Sequence, residues 1–137
     1  MTAADNASAV RRFVDVCVNG AELSRLGEFV AGSVVIHAAT AGAVPDTRGL
    51  EELTDVFRRM RTVFPDLHVT VEDTVAEGDR VALRWTARGT HDAEWVGIAA
   101  TGRRVTFGGI DLYRFSGGRI QEWWRSEDFA YLVQQLE

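Results

Sequence analysis

Two carboxylates in the C-terminal half of the chain stand among apolar and aromatic residues. Asp111 interrupts the strand-like segment GGIDLYRF, and Asp128 ends the segment GRIQEWWRSED. A carboxylate that faces an aromatic interior is costly unless it is paired or hydrogen-bonded, so its presence there points to proton-transfer chemistry. We rank Asp111 first as a catalytic acid or base, because Asp128 can instead cap the helix that begins in SEDFAYL.

Further polar and aromatic residues accompany these carboxylates. His37 or His91 is a candidate proton donor to a developing alkoxide, although lone histidines are more often structural. Glu122 is expected to pair across the sheet with an arginine. The candidate walls of a pocket for a flat ligand are Trp85, Trp95, Trp124, Phe107 and Tyr113.

Composition narrows the possible classes of protein. The 137 residues, 46% of them hydrophobic, predict a single domain over residues 1–137 with a substantial core. A net charge of −5 argues against nucleic-acid binding. No apolar run is long enough to span a membrane and no signal peptide is evident, which favours a cytoplasmic protein. Cys17, the single cysteine, lies on an apolar helical stripe and is expected to be a buried thiol; no Cys/His spacing indicates a metal site.

The hydrophobic periodicity predicts helices first and strands afterwards. Helical spacing predicts helices over residues 8–18, 22–29, 50–63 and 129–136, and alternation predicts strands over residues 33–38, 66–77, 80–91, 105–115 and 119–127. The segment ATAGAVPDTRG has the composition of a loop, and a second loop is expected from Asp92 to Gly102. This order predicts an α+β fold with helices packed on one face of an antiparallel sheet.

The turn at Gly117-Gly118 sets which side chains face inward. With these two glycines at its centre, Ser116 lies opposite Arg119 and Asp111 lies opposite Trp124. Regular alternation then gives the inner face Phe107, Asp111, Tyr113, Phe115, Ile120, Glu122, Trp124 and Asp128. The outer face, towards solvent or a partner subunit, receives Arg114, Gln121, Trp123, Arg125 and Glu127.

The same alternation applies to the preceding strand. Val81, Leu83, Trp85 and Ala87 form its apolar parity, and the count brings His91 onto that side. Arg84 falls on the other side and is expected at the surface.

Three segments carry a family resemblance: FPDLHVTVEDTVAEGDRVALRWTARGTH (64–91), TGRRVTFGGIDLYRF (101–115) and GRIQEWWRSEDFAYLVQQL (118–136). They lie within residues 64–136, a span of more than half of the chain, and they resemble the SnoaL-like polyketide cyclases of the nuclear transport factor 2-like superfamily. His37 before a loop, followed by RGLEEL, also fits, whereas Ala100 stands where relatives often carry proline. The resemblance implies a cystatin-like cone: a curved sheet wrapped by helices around a deep pocket, in a homodimer or homotetramer joined through the exposed sheet face.

The resemblance also implies an activity. Family members close a ring of an aromatic polyketide by intramolecular aldol condensation in antibiotic biosynthesis, without a metal or another cofactor. Asp111 or Asp128 is then the general base, His91 or His37 the proton donor, and the aromatic residues with Glu122 the substrate pocket.

Two alternatives stay open. An epoxide-opening or cyclic-ether-forming enzyme would use Asp111, Arg84 and Asp128 as an Asp-Arg-Asp relay, although the only asparagines, Asn6 and Asn19, lie in or beside the first helix. An accessory hydroxylase component or ligand carrier would need the pocket but none of the carboxylates. A fold alone does not choose among these functions.

Overall fold

The computed structural model describes residues 1–38 and 45–137, which form an α+β fold. The helices of this part are α1 (Ala3–Phe13), α2 (Leu26–Phe29), α3 (Gly49–Val63) and α4 (Phe129–Leu136), with a π-helical segment at Val14–Asn19 and a 3₁₀ turn at Leu23–Arg25. The strands are β1 (Val30–Ala38), β2 (Thr47–Arg48), β3 (His68–Glu77), β4 (Arg80–Thr90), β5 (Arg104–Ser116) and β6 (Arg119–Glu127).

The predicted elements are present, several with shifted bounds: the helix predicted over residues 22–29 is a 3₁₀ turn followed by the short α2, and β1 begins at Val30. The first helix begins at Ala3 rather than near Ser8 because Thr2 and Asp5 form a capping box, in which each side chain accepts the backbone N–H of the other at 2.9–3.0 Å. The loop predicted between β1 and α3 contains the short strand β2. Residues 39–44 of that loop lie outside the described residues.

The strands form one curved sheet in the order β2-β1-β6-β5-β4-β3. Neighbouring strands are antiparallel except β1 and β6, which are parallel. The predicted turn between β5 and β6 is present: Gly117 and Gly118 have φ of +59° and +81°, a left-handed conformation that glycine adopts without steric cost. Register shifts interrupt three of the strand pairs, and such bulges bend a sheet.

Helices cover one face of the sheet, which we call the inner face. α1 packs against β3 and β4, and α3 packs against β1. The predicted inward parity of β4 and β5 is confirmed, since Leu83, Trp85, Phe107 and Tyr113 are buried beneath the helices. In the described part of the chain, no helix is long and apolar enough to cross a membrane.

The predicted register of β6 is wrong by one residue beyond Gln121. Phe115 pairs with Ile120 as expected, but Arg114 pairs with Glu122, so Gln121 is an extra residue in a β-bulge. Because side chains alternate, one extra residue moves every later side chain of the strand to the opposite face. Trp123, Arg125 and Glu127 therefore face inward, and Glu122 and Trp124 face outward.

Candidate active site

A cavity opens between the inner face of the sheet and the helices. Its volume is about 100 Å³, several times what one buried water molecule needs. The walls are mainly aliphatic and aromatic, with these main contributors: Phe13, Val14, Cys17, Phe57 and Met60 from helices, and Leu83, Trp85, Phe107, Tyr113 and Trp123 from strands. Such a lining suits an organic ligand with a flat, apolar body.

Asp111 is the one carboxylate buried among these walls in the described residues. Its Oδ2 accepts hydrogen bonds from the hydroxyl of Tyr113 at 3.2 Å and from Nε1 of Trp123 at 3.1 Å. Its Oδ1 is buried and has no hydrogen-bond partner. One oxygen is thus held in place by two donors, while the other is free to take or give a proton.

The surroundings of Asp111 set its protonation. Burial raises the pKa of Asp111, and the positive charge of Arg125 together with the Trp123 and Tyr113 donors offsets part of that rise. Trp85 also faces the carboxyl group closely enough to lower its pKa, but its Nε1 forms no hydrogen bond of normal geometry. Burial beside Asp111 raises the pKa of Tyr113 well above its usual value, so Tyr113 stays a neutral donor.

The helical wall is tied down by polar contacts behind it. The guanidinium of Arg61 donates to the backbone carbonyls of Val18, Pro65 and Leu67, and the amide of Asn19 bonds both backbone groups of Val69. These bonds anchor the π-helical segment, a feature frequently found at functional sites. Within that segment the thiol of Cys17 is buried, as predicted, and burial raises its pKa to about 11.

His91 is buried but is not part of the cavity wall. Its Nδ1 accepts the backbone N–H of Thr101 at 3.2 Å, and its ring lies against Phe64 with centroids 6.1 Å apart. The inward direction predicted for His91 is confirmed. The position beside a substrate, which a proton donor requires, is not confirmed, because Phe64 and the loop after β4 enclose the ring of His91.

Trp95 also lies outside the cavity. It belongs to the loop after β4 and packs between Phe64 and Phe129, with ring centroids 6.1 and 5.4 Å away. The predicted role of Trp95 as a pocket wall is therefore wrong, because the loop folds towards α4 rather than over the cavity.

His37, Glu122 and Trp124 meet on the outer face of the sheet, opposite the cavity. Nε2 of His37 is 2.6 Å from Glu122 Oε2, its Nδ1 is 3.1 Å from Asp46 Oδ2, and its ring stacks on Trp124. Glu122 also accepts a bond from Arg114 at 3.2 Å, which confirms the expected pairing with an arginine. The bonds from His37 and Arg114 lower the pKa of Glu122. The predicted placement of these three residues at the substrate is wrong. The bulge at Gln121 turns Glu122 and Trp124 outward, and His37 faces outward because Val34 and Ile36 hold the inward parity of β1.

The carboxylate relay of the epoxide hypothesis is not assembled. Arg84 lies on the outer face, as the alternation predicts, and binds Asp73 at 2.6 and 2.9 Å. Asp128 is exposed, and its Oδ1 accepts the backbone N–H of Tyr131 at 3.1 Å as the N-cap of α4. Neither residue lines the cavity that holds Asp111, so their predicted roles at the substrate lack the required geometry.

Sequence reasoning missed three inward side chains of β6: Trp123, Arg125 and Glu127. The charge pattern could have indicated the bulge. Glu122 lies directly across the sheet from Arg114 only if β6 contains one extra residue before it. Among the described residues, no group of three or more His, Cys, Asp or Glu side chains could hold a metal ion. The chemistry available to the described cavity is that of carboxyl groups, guanidinium groups, a thiol and aromatic N–H and O–H donors.

A curved sheet closed by helices over an apolar cavity is the fold of the nuclear transport factor 2-like class. The model of the SnoaL-like polyketide cyclase family matches residues 8–136, and the chain belongs to that family.

Solved structures agree with this assignment. IdmH from Streptomyces antibioticus, a proposed polyketide cyclase, is 33% identical with a TM-score of 0.82, over 96% of this chain and 97% of that chain. AclR from Streptomyces galilaeus, a proposed hydroxylase, is 26% identical with a TM-score of 0.85, over 98% of this chain and 97% of that chain. A SnoaL-like protein from Jannaschia sp. CCS1, 19% identical over 98% and 93% with a TM-score of 0.89, shows the fold alone. No curated protein sequence matches the chain significantly.

Proposed function

We propose that this protein is a cofactor-independent cyclase that closes a ring of a polycyclic aromatic polyketide by intramolecular aldol chemistry, in the cytoplasm and in antibiotic biosynthesis. The observation that carries the proposal is the free, buried Oδ1 of Asp111 in an otherwise apolar cavity. A carboxyl group whose pKa is raised by burial is a suitable acid and base near neutral pH.

The reaction needs one base and one returning proton. Ionised Asp111 removes a proton from a carbon between two carbonyl groups, and the C–H electron pair spreads into the carbonyl as an enolate. The enolate carbon attacks another carbonyl carbon of the same molecule. The oxygen of that attacked carbonyl becomes an alkoxide and takes the proton back from Asp111. Such a positioned group typically contributes about 10²–10⁴-fold in rate. With His37 and His91 outside the cavity, Asp111 fills both roles.

The shape of the cavity supports an aromatic substrate. Trp85 and Phe107 meet edge to face with centroids 5.8 Å apart, and Tyr113 and Trp123 lie 5.0 Å apart on the neighbouring strands. These rings flank the carboxyl group of Asp111 and give a fused-ring ligand surfaces against which to stack. IdmH, a proposed polyketide cyclase, shares the fold over 96% of this chain, which agrees with the proposal.

The test uses an anthraquinone that carries a 1,3-dicarbonyl side chain next to an acyl group. Closure leaves the mass unchanged and alters the absorption spectrum, because one C–H and one C=O bond are replaced by a C–C bond and an O–H group. Asp111→Asn should lower the closure rate by about 10²-fold or more, while Asp92→Asn, which alters an exposed carboxylate outside the cavity, should not change it. Wild-type closure rates in Asp111→Asn would refute the proposal.

The second candidate is an accessory hydroxylase component, and the similarity to AclR favours it. Such a protein would bind a polycyclic quinone in the same cavity, and the product would gain one oxygen atom with a reductase present. Quinone binding that survives Asp111→Asn, with no closure by the wild type, would select this function. Gain of one water molecule from a test epoxide would instead indicate epoxide opening.

We also propose that copies of the chain associate through the outer face of the sheet, as a homodimer or homotetramer. Ile110 supports this proposal, because this large apolar side chain is 55% exposed on a strand in the interior of the sheet.

A further inference from the structure

Arg125 stands directly across from the catalytic carboxylate. The register pairs it with Asp111 in antiparallel β5 and β6, and both side chains line the cavity. Side chains of directly opposed residues share one face of a sheet and lie close together. The side chain of Arg125 is 28% exposed, whereas Asp111 is buried.

The guanidinium of Arg125 has donors to spare. Its nearest charged group is Glu127, with Nη2 3.8 Å from Oε2, too long for a hydrogen bond. Its Cζ lies 5.7 Å from the ring centre of Trp123, a cation–π contact that uses none of its N–H groups. In residues 1–38 and 45–137, no acceptor takes a hydrogen bond from it.

The second arginine of the cavity wall is different. Arg61 directs its donors away, to the three backbone carbonyls that hold the π-helical segment. Arg61 is therefore part of the framework. Arg125 is the cation of the described cavity that has its N–H groups available to a ligand.

We propose that Arg125 binds the oxygen on which negative charge develops when the 1,3-dicarbonyl unit of the substrate enolises. This inference rests on the proposed role of Asp111 as base. When the C–H bond breaks, its proton goes to Asp111 and its electron pair moves onto the carbonyl oxygen, which accepts N–H bonds from the guanidinium. When the new C–C bond forms, the charge leaves that oxygen and the alkoxide takes the proton from Asp111. No oxidant or reductant takes part.

Glu127 moderates this site. Its carboxylate, 27% exposed, faces the guanidinium from two residues along the same strand and offsets part of its charge. Removal of the Glu127 charge should leave the Arg125 guanidinium more attractive to an anionic oxygen, since the opposing carboxylate no longer competes for it. Glu127→Gln is therefore expected to bind an enolate more tightly than the wild type does.

Dibenzoylmethane is a suitable probe, because its enol and enolate absorb at different wavelengths. We expect the bound probe to ionise at a lower pH than the free probe in the wild type. In Arg125→Gln, affinity for the enolate should fall about tenfold or more, the usual effect of losing a hydrogen bond to a charged group. Arg125→Lys should restore part of it, because the charge remains but the planar fork does not.

Two controls make the result specific. Dibenzoylmethane with two methyl groups on its central carbon cannot enolise, and it should bind equally to the wild type and Arg125→Gln. Arg84→Gln removes an arginine from the outer face of β4 and should leave enolate binding unchanged. Circular dichroism checks that each variant folds.

The outcomes separate this inference from the proposed function. Equal enolate affinity in the wild type and Arg125→Gln, or no saturable binding of the probe to the wild type, overturns the role of Arg125. A ring-closure rate that survives Asp111→Asn overturns the proposed function instead. Loss of closure in Asp111→Asn together with unchanged enolate binding in Arg125→Gln would refute only the present inference.

Discussion

Asp111 combines two opposed influences on one carboxyl group. The surrounding apolar walls favour its neutral form, whereas Arg125 and the donors of Tyr113 and Trp123 favour its charged form. A catalytic base needs this balance, because it must be ionised to act and still basic enough to remove a proton from carbon. A change to any one of these partners should therefore move the pH at which the protein works.

Replacement of Tyr113 by Phe tests that balance. The variant removes the hydroxyl donor to Oδ2 of Asp111, so the pKa of Asp111 should rise further. Because the ionised carboxylate is the active form, kcat/KM rises with pH through this pKa, and the rise should move to higher pH in the variant. On the acidic side kcat/KM should fall about tenfold, the usual effect of one hydrogen bond to a charged group.

The pH profile of ring closure is the measurement. Tyr131→Phe removes a hydroxyl from an exposed residue of α4 and should leave the profile in place. A profile of Tyr113→Phe that coincides with the wild type would show that Asp111 does not control the rate.

The same group should make stability depend on pH. The pKa of Asp111 is raised in the folded state, so the folded state binds more protons than the unfolded state between the ordinary pKa of 3.8 and the raised value. The free energy of unfolding therefore decreases as pH rises through this window, because the folded state loses the proton that it binds more tightly. Asp111→Asn lacks the titration, so its free energy of unfolding relative to the wild type should increase from acidic to neutral pH.

Urea unfolding at a series of pH values checks this expectation. Asp92→Asn serves as the control, since it changes an exposed carboxylate. A difference between Asp111→Asn and the wild type that stays constant with pH would contradict a raised pKa.

At the scale of elements, the bulge at Gln121 decides which side chains meet the substrate. Deletion of Gln121 should remove the bulge and join Ile120 directly to Glu122, so the observed strand pairs persist and Trp123, Arg125 and Glu127 stay inward. The variant loses the bonds from Gln121 to Ser33, so its free energy of unfolding should fall by about 1 kcal/mol. Trp123→Ala, which takes a buried side chain out of the core, should lower it by about 3 kcal/mol or more. A loss in the deletion variant as large as that in Trp123→Ala, measured by urea unfolding, would show that Gln121 is not the extra residue of the strand.

This bulge also marks where prediction from sequence stopped. The helices, strands, glycine turn and inward parity of β4 and β5 follow from local periodicity, and with them Asp111, Trp85, Phe107 and Tyr113 as parts of the cavity. A bulge without glycine or proline has no comparable local signal, and its position depends on the pairing of Glu122 with Arg114 and of Trp123 with Tyr113. Consequently, regular alternation predicts the wrong cavity-facing side chains for β6. The surroundings of His91 and Trp95 depend on how the loop after β4 packs, which alternation along a strand does not describe.

The N-terminus of α4 gives Asp128 a structural role. Its carboxylate accepts the N–H of Tyr131, so Asp128→Ala should lower the free energy of unfolding by about 1 kcal/mol. Asp128→Asn, which retains a capping oxygen, should lose little stability and no ring-closure activity. Urea unfolding and the closure assay measure both. A loss of closure in Asp128→Asn similar to that in Asp111→Asn would return Asp128 to the catalytic machinery.

At the scale of the whole molecule, the two faces of the sheet do different work. Helices α1 and α3 close the inner face over the cavity, while the outer face carries paired charges such as Arg84 with Asp73 and Arg114 with Glu122 around the exposed Ile110. Paired charges around an apolar side chain resemble the polar rim and apolar centre of a protein interface. The outer face is thus suited to a second copy of the chain without disturbing the cavity.

Ile110→Glu should shift the protein towards the monomer. A charge in the centre of an apolar contact must lose its hydration without gaining a partner, and this weakens association by about 2 kcal/mol or more, a factor of at least tenfold in the dissociation constant. Val96→Glu alters another exposed apolar residue, on the loop after β4, and should leave association unchanged. Sedimentation equilibrium over a range of concentrations measures both. Because Ile110 faces away from Asp111, ring closure by the Ile110→Glu monomer should persist; a monomeric wild type would refute association through this face, and loss of closure in a folded monomer would mean that the cavity depends on the neighbouring copy.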